Sequence, residues 1–236
     1  MSLLEVNDLS AGYGKVEIIN GISFSSNEKE ILVVVGPNGS GKSTLLKALF
    51  GLCRVFKGEV LFRGEDLTRL PPYRRSMKGV AYLPQVNNVF EGLTVQENLA
   101  LAAHDIMQEE LKDRLENVLS FLPELKGFMQ KKVRVLSGGE RQMVALAMSL
   151  LRNPSLVMFD EPTTALAPRL ASQVLKKALA LRDDRGVSVL LVEQNARAAL
   201  EIGDKALLMV SGRIRFLGNA QDLLENKELA KMYLGL

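Results

Sequence analysis

The chain has 236 residues, 47% of them hydrophobic and 24% charged, which suffices for a buried core and excludes an extended disordered segment. Its formal net charge is only +3, with Lys and Arg scattered among Asp and Glu, so no basic block marks a nucleic-acid surface and no nucleic acid is expected as a partner. A lone cysteine, Cys53, excludes an internal disulfide or a thiolate zinc site; no apolar run approaches the ~18 residues of a membrane helix, and Met1 to Glu5 shows no signal-peptide pattern.

The first thirty residues alternate in short segments, Leu4 to Leu9 and Val16 to Phe24, and with Glu59 to Arg63 they predict a small, largely antiparallel β subdomain. Ile31 to Val35 is a continuous β-branched run, the mark of a strand buried on both faces, and Gly36-Pro37-Asn38-Gly39 ends it. A helix follows, with Leu45, Leu46, Leu49 and Phe50 at core spacing and Gly51 placed as its C-cap. From Thr94 to Asn153 the strand signal gives way to helical patterns, one opening at Glu97, Asn98 and Leu99 and another over Glu110 to Phe121. Two further buried strands, Leu156 to Phe159 and Val187 to Val192, flank a helix running from Pro168 to Gly186. Strands alternating with helices predict an α/β fold with a parallel sheet, interrupted by a helical insertion.

Three segments carry chemistry. Gly36-Pro37-Asn38-Gly39-Ser40-Gly41-Lys42-Ser43 satisfies G-x-x-x-x-G-K-[ST] between a predicted strand and a predicted helix. Its glycines let successive N–H groups face phosphate oxygens, and the helix N-terminus favours the same anion; Lys42 is placed for the β- and γ-phosphates, Ser43 for Mg²⁺, with Thr44 beside it. Leu156 to Phe159 runs into Asp160-Glu161, which puts two carboxylates at the carboxyl edge of the sheet. A carboxylate neutralised by a metal is a poor base, so Asp160 is expected to hold Mg²⁺ and Glu161 to polarise the attacking water. Ser137-Gly138-Gly139-Glu140 combines a capping-box spacing with two glycines at a helix start, an N-capped core helix that can also face an anion.

Leu136-Ser137-Gly138-Gly139-Glu140 resembles the Leu-Ser-Gly-Gly-Gln signature of the ABC ATPase family, and the resemblance spans nearly the whole chain. It implies a P-loop NTPase fold with a RecA-like parallel sheet core at 1–85 and 154–236, an N-terminal antiparallel β subdomain and a helical signature subdomain at 86–153. Tyr13 matches the family's adenine-stacking aromatic, and Gln85 in Tyr82-Leu83-Pro84-Gln85 matches the Q-loop glutamine that senses Mg²⁺. By the same resemblance two ATP molecules are sandwiched in a head-to-tail dimer, formed with itself or a paralogous ATPase, each between one phosphate loop and the other subunit's Ser137-Gly138-Gly139. Membrane permease subunits, an external solute-binding protein and a peripheral position on the cytoplasmic face of the membrane are implied too.

Two positions depart from the family pattern. Gln194, in Val192-Glu193-Gln194-Asn195, stands where a histidine usually contacts the γ-phosphate, and Ala167 ends Thr164-Ala165-Leu166-Ala167 where the D-loop usually has an acid. Gln194 can hydrogen-bond a phosphate but cannot titrate. These departures are similar to the branched-chain amino acid importer branch, which implies a hydrophobic amino acid as cargo, with urea or another small solute as the alternative. A weakly hydrolysing regulatory subunit is a further reading that Glu161 opposes; a nucleic-acid-directed ABC ATPase would be expected to fuse two nucleotide domains or carry a long coiled-coil or basic insertion, which this sequence does not show, and a small-molecule kinase would not explain Ser137-Gly138-Gly139.

Overall fold

A computed structural model describes residues 2–86 and 88–234. Two long strands, β1 (Ser2–Tyr13) and β2 (Val16–Asn27), pair antiparallel and are joined by β4 (Arg54–Phe62) and the short β5 (Glu65–Asp66) in the order β2-β1-β4-β5. The central sheet contains β3 (Ile31–Val35), β6 (Val80–Leu83), β7 (Leu156–Asp160), β8 (Ser188–Val192), β9 (Lys205–Val210) and β10 (Arg213–Asn219) in the order β10-β9-β3-β8-β7-β6. The strands from β9 to β6 run parallel, and β10 alone turns back antiparallel on the edge. The helices are α1 (Lys42–Phe50), α2 (Pro72–Met77), α3 (Val95–Ala102), α4 (Gln108–Phe121), α5 (Gly138–Leu150), α6 (Pro168–Arg185), α7 (Ala196–Leu200), α8 (Ala220–Glu225) and α9 (Lys227–Leu229). Among the described residues no helix is long and apolar enough to cross a membrane.

Every residue of β3, β7 and β8 is buried, and side-chain alternation sorts them onto two cores. Val33, Phe159 and Leu191 face a core shared with α3, α5 and α6, whereas Val34, Met158 and Val192 face one shared with α1 and the antiparallel sheet. The central sheet is thus covered on both sides, and only its strand ends are left for chemistry.

The predicted strands and helices are present, with two differences. The antiparallel strands are longer than their alternating segments, because β1 accommodates register shifts between Val6 and Leu9 and again before Ala11 that break the two-residue period. The sequence assigns no element to β6 or to anything after Val192. Cys53 is half-buried, and His104 is exposed.

One buried cation fixes the outer end of α1. Arg75, 1% exposed, donates to Ala48 O, Leu49 O, Thr68 O and Leu70 O, all within 2.9 Å. Two of these are last-turn carbonyls of α1, where positive charge is favoured by the helix dipole. Burial pushes the guanidinium down to about 10, which still leaves it charged at neutral pH. Gly51 closes the helix with a positive φ of 83°, and a Cβ there would sit 2.9 Å from Leu70 O and 3.0 Å from Arg75 Nε. Replacing Arg75 by Ala removes four hydrogen bonds to main-chain carbonyls, so equilibrium urea unfolding is expected to show a loss of about 3 kcal/mol.

Candidate active site

The phosphate loop leaves β3 at Val35 and enters α1 at Lys42. Gly36 has φ 148°, and a Cβ there would lie 2.1 Å from Met209 O, so the loop can run this close to β9 only as glycine. Gly41 is the N-cap of α1 with φ 99° and makes no side-chain cap, which leaves the first N–H groups of the helix for an external acceptor. Lys42, only 4% exposed, folds back to donate to Gly36 O at 2.9 Å and Pro37 O at 3.2 Å. Burial lowers its pKa, against the opposing pull of Glu161 and Asp160. The buried Ser40 Oγ has no hydrogen-bond partner among the described residues. An uncapped helix end, an orphaned hydroxyl and an ammonium resting on carbonyls together form a donor set that suits a polyphosphate.

The acidic end of β7 meets this loop across the sheet. Ser43 Oγ donates to Asp160 Oδ1 at 2.7 Å, and Tyr82 Oη donates to Oδ2 at 2.9 Å. Burial, then the Asp160 charge, raises the Tyr82 pKa, so the phenol remains a donor. Phe50 packs on the Tyr82 ring with centroids 5.5 Å apart and fixes its direction. Glu161 adopts φ 49°, an uncommon backbone state held by its N–H donating to Val192 O at 2.9 Å. Its Oε2 accepts from Gln85 Nε2 and Thr164 Oγ1, both at 3.2 Å, and its Oε1 lies 3.9 Å from Lys42 Nζ.

These groups surround a cleft of about 550 Å³ lined by Asn38 to Thr44 with Tyr13, Gln85, Glu161, Thr164 and Gln194. Tyr13, 45% exposed at the end of β1, forms its outer lip. Gly36 and Pro37 stand behind it as acceptors for Lys42, and Asp160 is buried beneath Ser43. A wider cleft of about 690 Å³ lies beyond the loop at Thr163, but it contains none of the phosphate loop and is not the site.

Ser137 and Gly139 do not reach this cleft; they line a separate one with Glu140, Met143 and Leu170. Ser137 Oγ accepts from Glu140 N at 3.3 Å and Ser137 N donates to Glu140 Oε2 at 2.6 Å, a complete capping box at the start of α5. That backbone N–H holds the Glu140 carboxyl below the usual carboxylate range. A Cβ on Gly138 would lie 2.9 Å from Leu166 Cδ2, so the segment packs directly on the loop that follows Glu161.

Comparison with known proteins agrees with this geometry. Residues 19–164 match the ABC transporter family. A probable branched-chain amino acid transport ATP-binding protein LivF from Archaeoglobus fulgidus is 48% identical over 99% of both chains. The chain belongs to the ABC transporter family. A high-affinity branched-chain amino acid transport ATP-binding protein, BraG, of Pseudomonas aeruginosa is 36% identical over 99% of this chain and 100% of its own. The crystal structure of the ADP conformation of an ATP-binding cassette of an ABC transporter superposes with TM-score 0.89 at 26% identity, covering 98% of each chain. The chain is an ATP-binding subunit of this family and an ATPase.

Within this ABC subunit, three contacts have no motif to announce them. Tyr82 grips Asp160, Thr164 grips Glu161, and Asn88 Nδ2 donates to Gln142 Oε1 at 3.1 Å, joining the segment after Gln85 to α5. Tyr82 lies three residues before Gln85, which is the one signal that could have drawn notice to it. The capping box gives a direct test on the signature helix. Ser137→Ala is expected to lower unfolding stability by about 1 kcal/mol, whereas Glu140→Gln retains both hydrogen bonds and is expected to cost less, as measured by thermal unfolding.

Proposed function

We propose that this subunit powers an importer of branched-chain or other hydrophobic amino acids, with Glu161 as the carboxylate that activates water and Lys42 and Gln194 as contacts to the γ-phosphate. The observation that carries the hydrolytic part is the convergence of Ser43, Asp160 and Glu161 on one strand-end cleft, with Glu161 accepting from Gln85 and Thr164 and lying 3.9 Å from Lys42. The cargo reading rests on the two amino acid transport relatives and on Gln194 in place of the usual histidine.

A hydroxyl and a buried carboxylate are hard oxygen donors, and such a pair suits Mg²⁺. Ser43 and Asp160 would hold it, with Gln85 close by, and the ion would supply charge neutralisation on the phosphates. Tyr82 keeps Asp160 oriented, and Gln85, which donates to Glu161 at 3.2 Å, would be a further oxygen donor for the ion. Tyr13 stacks on the adenine. Residues 1–85 and 154–236 serve as the catalytic unit with its β subdomain, and 86–153 as the helical unit that meets the membrane permeases on the cytoplasmic face. Ser137, Gly138 and Gly139 close the nucleotide of a second ATPase subunit, a copy of this chain or a paralogue. A solute-binding protein delivers cargo from outside.

Phosphate release by the protein with its permeases tests the assignment. Glu161→Gln is expected to abolish turnover, a loss of a hundredfold or more on the order of general-base effects, while ATP binding is retained; undiminished turnover in that variant would refute Glu161 as the catalytic carboxylate. Tyr82→Phe, which keeps the ring and removes only the bond to Asp160, is expected to raise the Mg²⁺ concentration for half-maximal nucleotide binding about tenfold, as outer-shell partners of metal ligands do.

A further inference from the structure

Glu193 lies outside the phosphate cleft yet is 1% exposed at the end of β8. Its Oε1 accepts from Thr163 N and its Oε2 from Gln194 N, both at 3.1 Å. Its own N–H donates to Val34 O at 3.3 Å, anchoring it to the strand that carries the phosphate loop. Among the described residues no ion pair includes it. Burial pushes its carboxyl up, the N–H groups of Thr163 and Gln194 hold it down, and nearby Glu161 adds repulsion. A buried carboxylate without a cation costs stability, so this position is an expensive way to finish a strand.

We infer that Glu193 is a positioning residue for hydrolysis, a two-oxygen clip that ties the loop after Glu161 to the switch position Gln194. The inference rests on the hydrolytic reading of the site. Each end of the clip abuts a group in the cleft: Thr163 precedes Thr164, whose hydroxyl holds Glu161 Oε2 at 3.2 Å, and Gln194 lines the cleft directly. The outer side of the loop faces the 690 Å³ cleft, walled by Thr163, Leu166, Glu193 and Gln194, so the clip takes the place that packing would otherwise fill. Leu166, three residues further, rests at Gly138. A shift of Gln194 toward a phosphate therefore pulls, through one carboxylate, on both the catalytic glutamate and the signature helix.

A carboxylate accepts from both N–H groups, whereas a carboxamide of the same shape accepts from one and presents its NH₂ to the other. In Glu193→Gln, amide hydrogen exchange of the nucleotide-free protein is expected to quicken at Thr163 or Gln194, with the phosphate loop unchanged. In the transporter complex kcat is expected to fall about tenfold with KM for ATP unchanged. Glu193→Asp, which keeps the charge but withdraws it by a methylene, is expected to show the same split. Combined with Gln194→Ala, the Glu193→Gln loss is expected to be non-additive, because the clip acts on the phosphate through the Gln194 side chain that the second substitution removes. Unchanged exchange at both amides, wild-type kcat in Glu193→Gln, or additive losses would overturn the clip. A wild-type protein without turnover contradicts the hydrolytic reading instead, and the exchange arm then still decides whether the clip exists.

Discussion

Everything at the site hangs on the hydrogen bond from Ser43 to Asp160, which joins segments 117 residues apart in the chain at 2.7 Å. It forms because β3 and β7 each flank β8 in a parallel sheet, so the loop leaving one and the acidic end of the other emerge on the same edge. The sheet imposes that placement by being buried on both faces: alternate residues of three apolar strands fill two different cores, and a slip of one residue would exchange them. The register that is good for packing is the register that brings hydroxyl and carboxylate together.

Among the described residues, buried polar groups without a full set of partners collect at this same edge. Glu161 holds a positive φ, Ser40 buries a hydroxyl without a partner, Lys42 is desolvated, and Glu193 buries a carboxylate without a cation. Away from it, polar burial is satisfied: Asn98 Oδ1 accepts from Phe90 N and its amide donates to Phe90 O and Thr94 O, and Arg75 saturates the far end of α1. Buried polar groups left short of partners at one place, and paired elsewhere among the described residues, fit a preorganised reactive site.

Much of this was legible in the chain because the relevant signals are local. Ile31 to Val35 matches β3 residue for residue, Pro168 and Gly186 bracket α6, and Ser137 with Glu140 makes the capping box their spacing promises. The sequence alone does not place β9 and β10, although Ala206 to Met209 is apolar, since a short run of that kind does not distinguish strand from buried helix. The roles of Tyr82, Thr164 and Glu193 could not be read, because each depends on a partner brought near by the sheet rather than by spacing: Tyr82 and Asp160 are 78 residues apart. Glu193 stands out in the fold only because it is buried.

We propose that one subunit holds half a site, since its phosphate loop and its Ser137 and Gly139 line separate clefts. The most direct measurement is the mass in solution of the Glu161→Gln protein saturated with Mg²⁺ and ATP, alone and mixed with the second ATPase subunit of its transporter. A two-subunit species that forms with ATP in at least one of these samples, and dissociates when ADP replaces ATP, is the predicted result. A single-subunit mass in both samples with ATP bound would contradict it.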